Sequence, residues 1–187
     1  TIGEYAKMIN EEGWLNDKVK SKLHVVELKN YDRQSEYDLP IIPSPNLPNK
    51  KSINLYPSLC LFEGTNISVG RGTNLQFQIY GSPFLNKEKN DFQFNPTKNN
   101  GSKYPKHENK LCYGKNLSLT ERLNEFNLEF ILKAYTDSSN KSEFFNNYFI
   151  KLAGVDDLKT QIISGYSQEE IKESWQKKLE KYKVMRK

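Results

Sequence analysis

Eleven consecutive residues, Glu63-Gly64-Thr65-Asn66-Ile67-Ser68-Val69-Gly70-Arg71-Gly72-Thr73, bring a carboxylate, an amide, three hydroxyls and a guanidinium together. Three glycines in the same run let the backbone turn sharply or approach a ligand closely. A guanidinium binds a carboxylate through two parallel N–H bonds, a geometry that lysine cannot copy. The spacing is not that of a phosphate-binding P-loop, which needs G-x-x-x-x-G-K-[ST]. Two readings stay open for this stretch. In one it lines a concave, solvent-reachable surface that holds a polar ligand. In the other it is a polar turn, with Glu63 paired to Arg71 and Asn66 bonded to its own backbone.

Few other side chains offer reactivity. His107 stands alone in the polar run Lys106-His107-Glu108-Asn109, and His24 is the only other histidine. Cys60 and Cys112 are too widely separated to form a framework, and their pairing is left open. Cys60 falls in the apolar run Leu59-Cys60-Leu61-Phe62, where a buried free thiol is expected. Two cysteines and two histidines without ligand spacing give no metal site, and nothing in the chain calls for a cofactor.

The elements that must position these residues follow from pattern. Thr1-Ile2-Gly3-Glu4 is a capping box opening a helix with Ile2, Tyr5 and Ile9 on one face and Gly13 as its stop. Leu23–Leu28 (LHVVEL) is expected as a short strand. Four prolines, Pro40, Pro43, Pro45 and Pro48, make residues 39–49 a stiff extended loop. Leu59–Phe62 is a second strand expectation, followed by strands near 75–80, 91–96 and 111–119. The last third is helical. One helix after Thr120 carries Leu123, Phe126, Phe130, Ile131 and Ala134, and another carries Phe145, Tyr148, Phe149 and Leu152 and stops at Gly154. A second capping box, Ser167-Gln168-Glu169-Glu170, opens a final helix bearing Ile171, Trp175, Leu179 and Tyr182. Strands first and helices last give an α+β class: one domain over 1–187, with a small mixed β-sheet, long Pro/Gly-rich loops and C-terminal helices packed on the sheet.

Composition narrows the function classes. The 187 residues are 36% hydrophobic and 12% aromatic, enough for a core built largely of Tyr and Phe. No apolar run is long enough to span a membrane. The net charge of +5 comes mostly from lysine and reads as a solvated surface, because no cluster of basic residues is interleaved with aromatics as nucleic-acid binding requires. No leader is visible, and a chain opening at Thr1 is compatible with a leader already removed.

Pieces spread along the whole chain resemble the DUF1343 family, whose members include exo-β-N-acetylmuramidases. They are Thr1-Ile2-Gly3-Glu4 through Asn10-Glu11-Glu12-Gly13-Trp14, Pro43-Ser44-Pro45-Asn46-Leu47-Pro48, Tyr56-Pro57, and Cys60-Leu61-Phe62-Glu63-Gly64-Thr65-Asn66 through Gly70-Arg71-Gly72-Thr73. Phe77, Gly81-Ser82-Pro83, His107, Cys112, Gly114, Phe149, Leu152-Ala153-Gly154 and Ser174-Trp175 complete the set. Tyr31 stands where the family usually has Trp, which keeps an aromatic.

The resemblance implies a glycoside hydrolase that removes N-acetylmuramic acid from the non-reducing end of peptidoglycan fragments, in a periplasmic or secreted setting. It also implies a Rossmann-like N-terminal domain preceding this chain, so that the chain supplies one wall of an interdomain cleft. A non-catalytic peptidoglycan-binding module is the alternative. On the enzyme reading Glu63 and His107 are the acid–base residues, and Asn46, Thr65, Asn66, Ser68, Arg71 and Tyr31 bind the sugar. Arg71 then faces the lactyl carboxylate that distinguishes muramic acid from glucosamine.

Overall fold

The computed structural model describes residues 1–32 and 34–186. Its contacts divide into two units, residues 1–37 with 172–187, and residues 38–171, so that the division falls within the last helix.

The first unit opens with helix α1 (Ile2–Glu11). Thr1 and Glu4 cap one another as the capping box predicts, and Gly13 follows in the left-handed region at φ 68°. Met8 is the only residue of α1 that is buried. Asn10 stitches the helix to Ser21, accepting from its N–H at 2.7 Å and donating to its carbonyl at 3.0 Å. Residues 23–28 do not form the expected strand. A strand exists only where a neighbour takes its ladder of N–H and C=O groups, and no described residue pairs with this segment. It lines a groove with Ile2, Gly3, Ala6 and Lys7, and leaves Val26 and Leu28 exposed.

The second unit holds the core. Helix α2 (Lys50–Leu59) starts at Asn49, whose side chain accepts from Ser52 N at 2.9 Å while Ser52 Oγ accepts from Asn49 N at 3.3 Å. It buries Leu55 and Leu59 completely and runs into a 3-10 turn at Cys60–Gly64. The expected strand at 59–62 is therefore the end of a helix. The apolar run was too short to show its period, and Pro57 hides the helix from pattern reading. Residues 39–49 form neither helix nor strand, apart from an isolated bridge between Ser44 and Leu47.

Strands β1 (Ile79–Ser82), β2 (Phe92–Phe94) and β3 (Cys112–Asn116) form one sheet in the order β1-β3-β2. Both pairings are antiparallel. Gly114 faces Gly81 across the β1–β3 ladder, and a Cβ on Gly114 would lie 1.8 Å from Tyr80 O, so the two strands can meet only with glycine there.

Helices α3 (Glu129–Asp137), α4 (Phe149–Ala153), α5 (Asp157–Ile163) and α6 (Gln168–Arg186) complete the chain. The helix expected after Thr120 begins only at Glu129. Before that, Leu123 N donates to Asn54 Oδ1, Leu123 O accepts from Asn54 Nδ2 and Asn127 N donates to Ser58 Oγ, so this backbone is tied to α2 instead of to itself. Gly154 stops α4 at φ 68°, and Ser167 with Glu170 caps α6, both as expected. Phe144, Phe145, Phe149 and Tyr135 pack as a run of edge and stacked rings. The architecture is α+β.

Candidate active site

The Cys60–Gly64 turn decides which way Glu63 points. Leu61, Phe62 and Gly64 are buried, and the carboxylate between them is left at the surface, half-buried. Gly64 cannot carry a side chain, since a Cβ there would sit 2.5 Å from the Phe149 backbone. That approach lets the loop pair with the segment ahead of α4. Asn66 N donates to Phe144 O at 2.8 Å and Asn146 N to Gly64 O at 2.9 Å. The opposite edge pairs with β1: Ser68 and Gly81 exchange both backbone bonds, at 2.8 and 2.9 Å. Gly70 and Gly72, at φ 77° and 83°, then turn the chain outward, and Thr97 N donates to Gly72 O at 2.9 Å.

Of residues 63–73, only Glu63, Asn66, Arg71 and Thr73 retain some exposure. Thr65 and Ser68 are 1% and 2% exposed. The Thr65 hydroxyl donates to Phe62 O and accepts from Ile67 N, and the Ser68 hydroxyl accepts from Gly70 N. The structure thus takes both expected sugar-binding hydroxyls inside, where they tie the loop's own backbone. The stretch as a whole is not the solvent-facing surface that its polarity suggested, because Ile67 and Val69 fill the core and draw their neighbours in.

Arg71 Nη2 donates to Glu63 Oε2 at 3.0 Å, forming the pair foreseen as one of the two readings. The guanidinium lies over the Phe77 ring at 5.4 Å, and Phe77 in turn packs on Tyr56 at 5.0 Å. Arg71 Nε is buried without a partner. The Tyr56 hydroxyl is held above its ordinary pKa, first by burial and then by the Glu63 charge.

His107 closes the site from another element. Its Nε2 is 2.6 Å from Asn66 O and 3.4 Å from Ser82 Oγ, and Phe84 meets its ring edge-on at 5.9 Å. A carbonyl only accepts, so Nε2 carries the proton and a neutral ring keeps its lone pair on Nδ1. Burial is the main cause holding the ring's pKa below 6.5, with the Lys106 and Lys110 charges acting the same way against the Asn66 bond. The ring is accordingly neutral at pH 7. His107 and Phe77 both sit in the left-handed region, at φ 60° and 51°. Such backbone costs about 1–3 kcal/mol and gathers at functional sites.

The remaining expected residues are placed less directly. Asn66 contributes its carbonyl to His107, while both polar atoms of its side chain are buried without a partner. Asn46 donates to Gly101 O at 2.8 Å and its Oδ1 is buried and unpartnered. Tyr31 belongs to the first unit, edge-on to Tyr37 at 6.4 Å. Cys60 and Cys112 are free thiols. Among the described residues no cluster of three His, Cys, Asp or Glu side chains could hold a metal ion, and no helix is long and apolar enough to cross a membrane.

Sequence reasoning missed Lys106. Its ammonium donates to Phe62 O at 3.2 Å, to Ile67 O at 3.0 Å and to Thr65 O. Nothing in a Pro-Lys-His triplet signals that three carbonyls will converge on one lysine.

Comparison with known proteins supplies the chemical context for this geometry. Residues 54–187 match the C-terminal profile of the exo-β-N-acetylmuramidase NamZ, and residues 1–51 match the N-terminal profile, so the boundary between the two parts falls within the chain. The peptidoglycan β-N-acetylmuramidase NamZ of Bacillus subtilis (strain 168) is 34% identical over 206 positions, covering all of this chain and 49% of that protein. A crystal structure of a DUF1343 family protein from Bacteroides fragilis NCTC 9343 superposes with a TM-score of 0.90 at 42% identity, over 99% of this chain and 53% of that one. A second DUF1343 protein of the same organism shares the fold, with a TM-score of 0.74 at 18% identity, over 98% and 54% of the two chains. The chain spans about half the length of these relatives. It belongs to the DUF1343 family of NamZ-type exo-β-N-acetylmuramidases.

Proposed function

We propose that this chain forms one wall of the active site of an exo-β-N-acetylmuramidase that releases N-acetylmuramic acid from the non-reducing end of peptidoglycan fragments. The observation that carries the reading is the Glu63–Arg71 pair, set beside the Lys106 ammonium on a loop held at both edges. Arg71 pairs with the one carboxylate, and the Lys106 ammonium is near enough to feel both charges, which leaves a positive excess suited to the lactyl carboxylate of muramic acid.

In this reading Arg71 turns its remaining N–H groups toward that carboxylate while one stays with Glu63. Glu63 serves as one of the two carboxyl groups that glycoside hydrolysis generally needs, or orients the sugar hydroxyls. His107, neutral with Nε2–H committed to Asn66 O, offers Nδ1 as the base. Asn46 takes an outlying place at the sugar, and Thr65, Asn66 and Ser68 shape the loop that presents Glu63. The second carboxylate comes from a Rossmann-like N-terminal domain, and the whole acts outside the cytoplasm, where peptidoglycan is found.

The test is hydrolysis of a chromogenic β-N-acetylmuramide by the chain alone and by the chain joined to a family N-terminal domain. Turnover that appears only with the added domain supports a shared cleft. Robust turnover by the chain alone means that the site is self-contained. Binding of peptidoglycan fragments without turnover in either form favours the non-catalytic module.

A further inference from the structure

The geometry points to Lys106 as the positioning residue of this site: its ammonium acts as a built-in cation that gathers the Phe62, Thr65 and Ile67 carbonyls and so fixes the loop presenting Glu63 and the Asn66 carbonyl. The inference rests on the muramidase reading for its catalytic consequence, but the structural part stands on its own.

Three carbonyl oxygens within six residues, Phe62 to Ile67, turn toward one point. Carbonyls so arranged repel one another; Phe62 O also accepts from the Thr65 N–H and hydroxyl, whereas for Thr65 O and Ile67 O the ammonium is the donor on hand, and a carbonyl in such a place needs one. A lysine ammonium has three N–H donors, one for each. Arginine presents a planar fork that cannot converge on three oxygens around a point, and methionine has no donor at all. The three carbonyls bracket both functional groups in sequence: Glu63 lies between the first and second, Asn66 between the second and third. Asn66 O is the atom that holds His107 Nε2 at 2.6 Å, and His107 is the next residue after Lys106. Fixing the lysine therefore fixes the carboxylate, the imidazole and the distance between them.

The charged groups around the ammonium are Glu63, which favours its protonated form, and Arg71, which opposes it; His107 feels the lysine charge in turn. Burial, the largest influence, brings the ammonium's pKa down to about 8. A neutral amine keeps only two N–H donors for three carbonyls, so the staple weakens as pH rises through this value.

The experiment compares wild type with Lys106→Ala, Lys106→Met and Lys106→Arg in the chain joined to a family N-terminal domain. It follows amide exchange of residues 62–68, the His107 titration by NMR, and kcat and KM on the muramide. Lys106→Ala should speed exchange of the 62–68 amides at least tenfold, raise the His107 pKa and lower kcat ten- to hundredfold with a smaller change in KM. Ammonium or methylammonium should restore part of the lost kcat and protection to Lys106→Ala, and tetramethylammonium, which has no N–H, should not. Lys106→Arg should keep the His107 pKa low yet fail to restore kcat. Should the variants not fold, wild type between pH 7 and 9 gives the same reading, with loop protection falling near pH 8 while far-UV CD stays native. Unchanged exchange and unchanged kcat in Lys106→Ala, equal rescue by all three cations, or pH-independent loop protection would overturn the assignment. An inactive wild-type protein would defeat the muramidase reading instead, and the exchange and titration data would still decide the staple.

Discussion

The loop at 62–73 and the segment at 1–32 are both rich in short motifs, yet they use them in opposite ways. In the loop, the backbone groups of Gly64, Asn66, Ser68 and Gly72 all find partners on other segments. Three further carbonyls end on Lys106. The 1–32 segment has its capping box and its Asn10–Ser21 stitch, but Met8 is its single buried side chain. Ile2, Val26 and Leu28 are 75–90% exposed. The contrast teaches that a motif yields a defined surface only where tertiary partners complete its hydrogen bonds. Local patterning alone makes a helix without making a core.

Substitutions should separate the two regions clearly. A large effect, of the same order as truncating a core side chain, is expected at Gly64, where alanine would force the Phe149 backbone away from a 2.5 Å contact. Overpacking of this kind costs typically 1–3 kcal/mol, and more against rigid backbone. Leu59→Ala, at a fully buried position, should cost about 2–5 kcal/mol. Val26→Ala, 83% exposed in the other region, should stay within about 0.5 kcal/mol. Urea titrations of the three variants check the ranking, and a Val26 effect as large as that of Leu59 would erase the distinction.

The second comparison sets Arg71 as reader of the lactyl carboxylate against Arg71 as mere partner of Glu63. A charge-assisted pair contributes about 1.5–3 kcal/mol, or roughly tenfold to a hundredfold in affinity. In the chain joined to a family N-terminal domain, Arg71→Lys and Arg71→Met should lower kcat/KM on the muramide much more than any residual activity on the glucosaminide. Equal losses on both sugars leave Arg71 as a support for Glu63 only.

A smaller effect is expected from pH. Burial holds the His107 pKa in the folded protein below the ordinary 6.5. The unfolded chain therefore takes up the proton first as pH falls, and stability is present above about 6.5 and lost as pH drops through the folded pKa. His107→Gln should flatten the pH slope of stability below pH 6.5 and leave the slope near pH 8 unchanged, measured by thermal melts across that range. The same slope in the variant would mean that another group sets it.

Much of the frame was legible in the sequence for physical reasons. The capping boxes at Thr1 and Ser167 and the stop at Gly154 depend on neighbouring residues only, so pattern reading finds them. The helix end at 59–62 is hidden by a short apolar run and by Pro57, and the late start of α3 depends on distant partners. Asn54, one α2 residue, takes both backbone groups of Leu123, sixty-nine positions away. The site divides the same way. Glu63 and Arg71 announce themselves by type and spacing, and a turn that pairs them is one of the two readings the sequence leaves open. The inward turn of Thr65 and Ser68 was hidden, because a hydroxyl in a glycine-rich run looks alike whether it faces a sugar or its own backbone.

The central claim is that the surface presenting Glu63 does glycosidic chemistry. Its most direct test is Glu63→Gln in the chain joined to a family N-terminal domain, assayed on the muramide. The pair with Arg71 is partly exposed and worth only about 0–1 kcal/mol, so folding should be almost unaffected. The expected result is a loss of about 100-fold or more in kcat with the melting temperature nearly unchanged. Wild-type kcat in a folded Glu63→Gln enzyme would contradict it.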